Sequence, residues 1–347
     1  MKRPLIAITM GDPASIGAEI TMKALKNEEL YQRCRPLVVG DSAVMEYVLH
    51  YLKTEGLSIN SIQEVNQAKF TVGTIDVLNM DIIDTACLEF GQVSAEAGEA
   101  AFRYVEKAIS LATAGEVDAT VTNALNKEAL NLAGHHFSGH TEIYAHFTNT
   151  SKYTMMLTHE DLRVVHVSTH VSLREACNRA TKQRILDVIT IAHKACRALG
   201  IEKPRVGVAG LNPHSGENGL FGTEELYEII PAIETAVQNG ILAEGPVSPD
   251  TVFPKARGGW YDIVVAMYHD QGHIPLKMAG FFYNRELETW ESVAGVNITL
   301  GLPIIRTSVD HGTAYDMALS GKASEVSLVN AIDYAVTLSL NSRGADA

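Results

Sequence analysis

Short apolar runs rich in β-branched residues alternate along this chain with longer stretches whose apolar positions recur at helical spacing. The runs lie at 5–9, 37–40, 119–122, 154–157, 162–167, 205–209, 263–267 and 303–307. Their brevity and near-continuous hydrophobicity predict strands buried on both faces, as in mainly parallel sheets covered by helices. Stretches 95–114, 182–199 and 223–238 have the length and periodicity of helices. This strand–helix rhythm predicts an α/β architecture with layered helices. No fixed-period repeat or low-complexity tract interrupts it, and the polar tail after Leu340 is expected to fray.

The length, 347 residues, corresponds to about two domains of ordinary size. Lys plus Arg number 28 against 41 Asp plus Glu, a formal net charge of −13. That balance argues against a nucleic-acid partner, which needs a basic face. It leaves room for an anionic small molecule, which needs only local positive charge. The cysteines Cys34, Cys87, Cys177 and Cys196 form no CxxC pair. With no secretory leader and no apolar run long enough to span a bilayer, the chain is expected to be a soluble cytoplasmic protein with reduced thiols.

The chemistry concentrates at strand ends. The run 162–167 is followed by Ser168-Thr169-His170, the run 205–209 by a loop bearing His214, and the run 263–267 by Tyr268-His269-Asp270. All histidines except His50 fall between positions 135 and 311. In open α/β sheets ligands bind outside the carboxyl ends of strands. Three imidazoles there make a candidate divalent-metal site; the bland alternative is that each bonds a loop backbone.

Other polar features carry the same double reading. His140 and Thr141, after Ser138-Gly139 and ahead of a helix-like stretch, could hold a phosphate on backbone N–H groups or merely cap a helix. Lys277, Asn297 and Arg306 sit in apolar surroundings. Arg306, within the run 303–307, needs an anionic partner from the protein or from a substrate. Asp12 with Pro13, after Gly11, fits a helix start at the end of the first strand. The small residues of Asp310-His311-Gly312-Thr313-Ala314-Tyr315-Asp316 would let a flat ring approach the backbone. No GxGxxG fingerprint follows any strand, so a standard Rossmann dinucleotide site is not expected.

Several motifs together resemble one family. Thr9-Met10-Gly11-Asp12-Pro13, Asn126-Lys127-Glu128, Gly139-His140-Thr141-Glu142 and Gly210-Leu211-Asn212-Pro213-His214 stand in order with Ala266-Met267-Tyr268-His269-Asp270-Gln271-Gly272, Val296-Asn297-Ile298 and Arg306-Thr307-Ser308-Val309-Asp310-His311-Gly312. The set, from residue 5 to about 340, resembles the 4-hydroxythreonine-4-phosphate dehydrogenase (PdxA) family. That family is similar in fold to isocitrate and isopropylmalate dehydrogenases. The resemblance implies two α/β/α domains with a cleft between them, here drawn at 1–135 plus 265–347 and at 136–264. It also implies a homodimer whose active site is shared between subunits.

By the same resemblance, His170, His214 and His269 hold a divalent metal. His140, Thr141, Lys277, Asn297 and Arg306 bind substrate, and NAD lies against His311, Gly312, Thr313, Ala314 and Asp316. The implied reaction is oxidation of a 3-hydroxyl in a phosphorylated four-carbon acid, then loss of carbon dioxide, with Asp250 and Lys277 as candidate bases. Imidazole ligands suit Zn, Ni, Co or Mn, and a carboxylate ligand would shift preference towards Mg. Gly272-His273-Ile274-Pro275-Leu276-Lys277 is similar to the branch acting on 4-phospho-D-threonate and 4-phospho-D-erythronate rather than to the vitamin B6 branch. Residues 281–295 form an insertion relative to the family pattern. A dihydrodiol dehydrogenase acting on an aromatic carboxylate, a non-redox metal lyase and a non-catalytic binding protein are the competing expectations.

Overall fold

In the computed structural model, which describes residues 3–286 and 289–345, the apolar runs become strands in two units. One comprises 1–150 with 302–347, the other 151–301. In the first unit β1 (Leu5–Thr9), β2 (Arg35–Gly40), β3 (Ser58–Ile62), β4 (Thr74–Asn79) and β5 (Ala119–Thr122) join a late strand, Arg306–Val309. Their order is β3-β4-β2-β1-β5 followed by that late strand, and every pair is parallel. β1, β5 and the late strand are buried throughout, as expected for strands covered on both faces.

The chain leaves β1 first towards β2 and later towards β5, so the carboxyl ends of β1 and β5 flank a topological switch point, where loops form a crevice. Asn123, just past β5, donates to Thr9 O and to Thr21 Oγ1, tying the two strand ends and the following helix together. Helix Gly17–Leu25 follows β1 four residues later than Asp12-Pro13 would have started it. Asp12 instead closes a turn, accepting from Ala14 N at 2.9 Å.

The second unit contains β6 (Thr154–His159), β7 (Leu162–His166), β8 (Arg205–Ala209), β9 (Leu242–Val247) and β10 (Ile263–Ala266), then a ribbon of β11 (Phe281–Asn284) and β12 (Thr289–Val293), and finally β13 (Val296–Leu300). The late strand of the first unit is thus β14. The order in this unit is β13-β6-β7-β10-β8-β9. β13, β6 and β7 pair antiparallel, while β7, β10, β8 and β9 run parallel. The three adjacent parallel strands β7, β10 and β8 therefore release their histidine-bearing loops at one edge.

The division of the chain falls later at both ends than the expected 135/136 and 264/265. Ile143 and Tyr144 of helix His140–Phe147 pack with Phe102, Val105 and Ile109 in the first unit's core. β13 pairs with β6, which holds it in the second unit. The insertion 281–295 forms the β11–β12 ribbon, with residues 287 and 288 outside the described residues. The tail does not fray at Leu340: helix Val326–Ala345 runs on through it, with residues 346 and 347 outside the described residues. Among the described residues no helix is long and apolar enough to cross a membrane, and all four cysteines are free thiols.

Candidate functional site

Arg306 opens β14 opposite Thr120 of β5, and only 2 % of it is exposed. Its Nη2 donates to Thr122 Oγ1 at 2.7 Å, and the guanidinium lies 5.6 Å from the Tyr144 ring centre. Tyr144 is itself fixed by donating to Thr120 Oγ1 at 2.9 Å. Burial pulls the Arg306 guanidinium down to about 10, opposed by Tyr144 and by the Glu142 carboxylate; the group remains a cation at neutral pH.

His140 begins the helix that carries Tyr144. Its Nε2 is buried and has no hydrogen-bond partner among the described residues. Burial, then the Arg306 charge, holds its pKa well below the ordinary histidine value, so the ring is neutral. The N-cap is Gly139, which offers no side-chain oxygen. The side-chain capping alternative for this turn therefore falls away, and the first turn presents its backbone N–H groups at a helix start, the kind of place that suits an anion.

The proposed NAD loop follows β14 in the same unit. His311 Nδ1 donates to Gly312 O at 2.8 Å, leaving a buried Nε2 with no partner among the described residues. Thr313 O accepts from Ile16 N at 3.4 Å, and Tyr315 OH donates to Asp12 Oδ2 at 2.7 Å. Ala314 adopts the left-handed conformation ahead of the turn that contains Asp316, which is exposed. A β-carbon at Gly312 would meet nothing within 4 Å. An orphaned buried imidazole nitrogen beside open space over a glycine fits a flat polar ligand such as a nicotinamide dinucleotide.

In the second unit the loops after β7 and β10 bring His170 and His269 together, with ring centres 5.8 Å apart. His269 Nδ1 donates to Asp270 Oδ1 at 2.7 Å, which leaves Nε2 as the available lone pair. Among the described residues no three His, Cys, Asp or Glu side chains form a ligand set. Two neighbouring imidazoles, with Nε2 of His269 not used by the Asp270 bond, fit part of a cation site, and a third donor would have to come from the loop that carries His214.

That loop has an unusual backbone. His214, Ser215, Gly216, Glu217 and Asn218 are all left-handed, with φ between 44 and 78°. Four of them carry side chains that disfavour this region. Just ahead of these residues the loop is anchored by Glu225, 2 % exposed, whose Oε1 accepts from Leu211 N and Asn212 N, both at 2.7 Å, and whose Oε2 accepts from Asn212 Nδ2 at 2.9 Å. Glu225 starts a π-helical turn, Glu225–Ile229, just before helix Ile230–Gln238. Pro231 has no N–H to give to the residue four back, which favours the wider turn.

Lys277 is half-buried on helix His269–Gly280. Asn297 on β13 donates through Nδ2 to Met155 Sδ at 2.8 Å and keeps a buried Oδ1 without a partner among the described residues. Asp250 is exposed at the start of helix Pro249–Arg257 and accepts from Ser248 Oγ at 2.7 Å. The candidates thus fall into two sets: His140, Thr141, Arg306 and the residues 311–316 in the first unit, and His170, His214, His269, Asp250, Lys277 and Asn297 in the second.

The family model described as pyridoxal phosphate biosynthetic protein PdxA matches residues 32–335. The chain belongs to the PdxA family. Within it, a protein of Oceanobacillus iheyensis named "Putative D-threonate 4-phosphate dehydrogenase" is 47% identical over 97% of this chain and 98% of its own length. The crystal structure of a 4-hydroxythreonine-4-phosphate dehydrogenase from Klebsiella pneumoniae superposes with a TM-score of 0.86 at 45% identity, over 97% of this chain and 98% of that one. A terephthalate 1,2-cis-dihydrodiol dehydrogenase from Burkholderia xenovorans LB400 is more distant, with a TM-score of 0.66 at 28% identity over 97% and 98% of the two chains. These likenesses support the α/β fold and leave the roles of individual residues to the geometry.

Sequence reasoning missed Tyr144, Glu225, His166 and His273. The i, i+4 spacing of His269 and His273 on one helix was the available signal, since it puts two imidazoles on one face. The others act through contacts between distant parts of the chain and left no local trace.

Proposed function

We propose that this chain, a PdxA-family dehydrogenase, oxidises the 3-hydroxyl of 4-phospho-D-threonate or 4-phospho-D-erythronate, and that carbon dioxide is then lost from the product. The observation that carries the reading is Arg306, a buried cation fixed by Thr122 and Tyr144 beside the partnerless Nε2 of His140. A phosphate can pair with a guanidinium held in this position, and neutral His140 can donate to it through Nε2. Thr141 and the first-turn N–H groups of helix His140–Phe147 would complete the phosphate's ligands.

When bound, NAD against 311–316 would accept the hydride from C3, while a divalent cation on His170, His269 and His214 would polarise the reacting oxygen. The hydroxyl proton needs a base. We assign it to Lys277 Nζ, half-buried on the helix that begins with His269, because Asp250 is exposed to solvent. Asn297 Oδ1, buried and partnerless among the described residues, would accept from a substrate hydroxyl. The resemblance extends this reading to a homodimer whose partner subunit completes the site.

The test is a reduced-nicotinamide absorbance assay with NAD and a divalent metal, on 4-phospho-D-threonate and 4-phosphohydroxy-L-threonine side by side. Preference for the first is expected, and preference for the second would move the chain to vitamin B6 synthesis. Turnover of an unphosphorylated aromatic cis-dihydrodiol, with neither phosphate ester used, would overturn the assignment of Arg306.

A further inference from the structure

His273 lies one helical turn beyond His269 and is almost fully buried. Its ring lies flat on that of His269, with centres 3.6 Å apart and planes 13° from parallel. Its Nδ1 donates to His269 O at 2.9 Å, which fixes the orientation of the stack. The ring of His166 is also a neighbour of His273, 4.7 Å away between ring centres and tilted by 42°. His166 ends β7 and is completely buried. The helix comes so close to it that a β-carbon at residue 272 would overlap its ring, so only Gly272 permits the approach. His166, His273 and His269 thus form a cluster that runs from a β-strand to a candidate ligand.

We propose that His273 is a positioning residue: its flat face sets the ring plane of His269, so that with Nδ1 held by Asp270 the Nε2 lone pair points in one direction. His273 itself touches no cation. The inference rests on the reading of His269 as a ligand, and it assigns the cluster a purpose that neither packing nor the family motifs require. A ligand ring that is free to rotate must be ordered when the cation binds, and a ring already ordered avoids that cost; partners behind metal ligands commonly alter metal affinity by about 10- to 100-fold.

The test compares His273→Phe with His273→Leu in the full-length protein, because both fill the space and only Phe presents a flat face. Long-range 1H–15N correlations of the metal-free protein report the tautomer and exchange state of His269, and a Co2+ titration followed by absorption reports affinity. The expected result is a single His269 tautomer and near-native Co2+ affinity in native protein and His273→Phe. His273→Leu should show averaged His269 signals and about tenfold weaker Co2+ binding. Equal behaviour of the two variants overturns the proposal, whichever way they go. If Co2+ leaves the native His269 signals unmoved, the ligand reading fails, while the metal-free spectra still decide whether His273 holds the ring.

Discussion

Arg306 and His214 are both polar groups that the fold must present in one position, and the two units achieve this by different means. Arg306 sits on a strand. The ladder that pairs it with Thr120 also brings Thr122 and Tyr144 within reach, so its supports come with the sheet register. His214 sits on a loop, within five left-handed residues that have no ladder to hold them. Its support is a buried carboxylate, Glu225, which collects two backbone N–H groups and an amide. A strand-borne group inherits its geometry, whereas a loop-borne group needs a dedicated device, and strain persists only where its surroundings over-determine it.

The most severe way to break this contrast is to remove each presented group. His214→Ala should abolish metal-dependent turnover with circular dichroism and Tm unchanged, and full activity would remove it from the ligand set. Arg306→Leu should lower kcat/KM for the phosphorylated substrate by about a thousandfold, the scale of a lost buried ion pair; a loss below tenfold would mean that the phosphate is held elsewhere.

Acid should discriminate next. Burial, then the neighbouring His273, holds His166 at about 3, against an ordinary 6.5. A ring kept neutral in the fold takes up its proton on unfolding, so its contribution is intact above pH 6.5 and drains away as pH falls towards 3. The loss amounts to at most about 1.4 kcal/mol per pH unit. Urea unfolding at pH 7, 6, 5 and 4 should show this slope in native protein and a flatter one in His166→Leu; parallel slopes would assign the acid sensitivity to other groups.

Smaller changes to the supports sharpen the comparison. Glu225→Gln would set an amide against Asn212 Nδ2 and remove the charge that collects two N–H groups. It should cost about 2 kcal/mol in unfolding free energy and weaken cation binding as well. Tyr144→Phe keeps the ring beside Arg306 and loses only the bond to Thr120, so about 1 kcal/mol of stability and a small rise in KM are expected. If Tyr144→Phe proved the costlier of the two, the distinction between ladder and dedicated support would collapse.

Much of the fold was legible. The runs at 5–9, 119–122 and 205–209 coincide with β1, β5 and β8, because strands covered on both faces must be almost wholly apolar. Ser58–Ile62 escaped notice because an edge strand with polar, partly exposed residues lacks that signature. β9 escaped because Gly245-Pro246 reads as a strand breaker, yet Pro is tolerated at a sheet edge. The expected strand at 303–307 shifted to Arg306–Val309, whose ladder with β5 begins at Arg306. Arg306 thereby moved from a strand interior to its first position. Of the site, the strand-end histidines were visible because topology gathers the ends of parallel strands. The supports were not, since Glu225, Tyr144 and His166 meet their partners through packing that no local pattern encodes.

The chain order of the first unit has a consequence for synthesis. β5 is made early and its neighbour β14 is separated from it by the whole of the second unit. While the ribosome is still extending the chain, β5 therefore presents an open apolar edge, the kind of surface that invites mispairing. The guanidinium that would receive the phosphate reaches its place only when the last strand docks. A nascent chain stalled before residue 306 holds every residue of the second unit and still lacks that guanidinium.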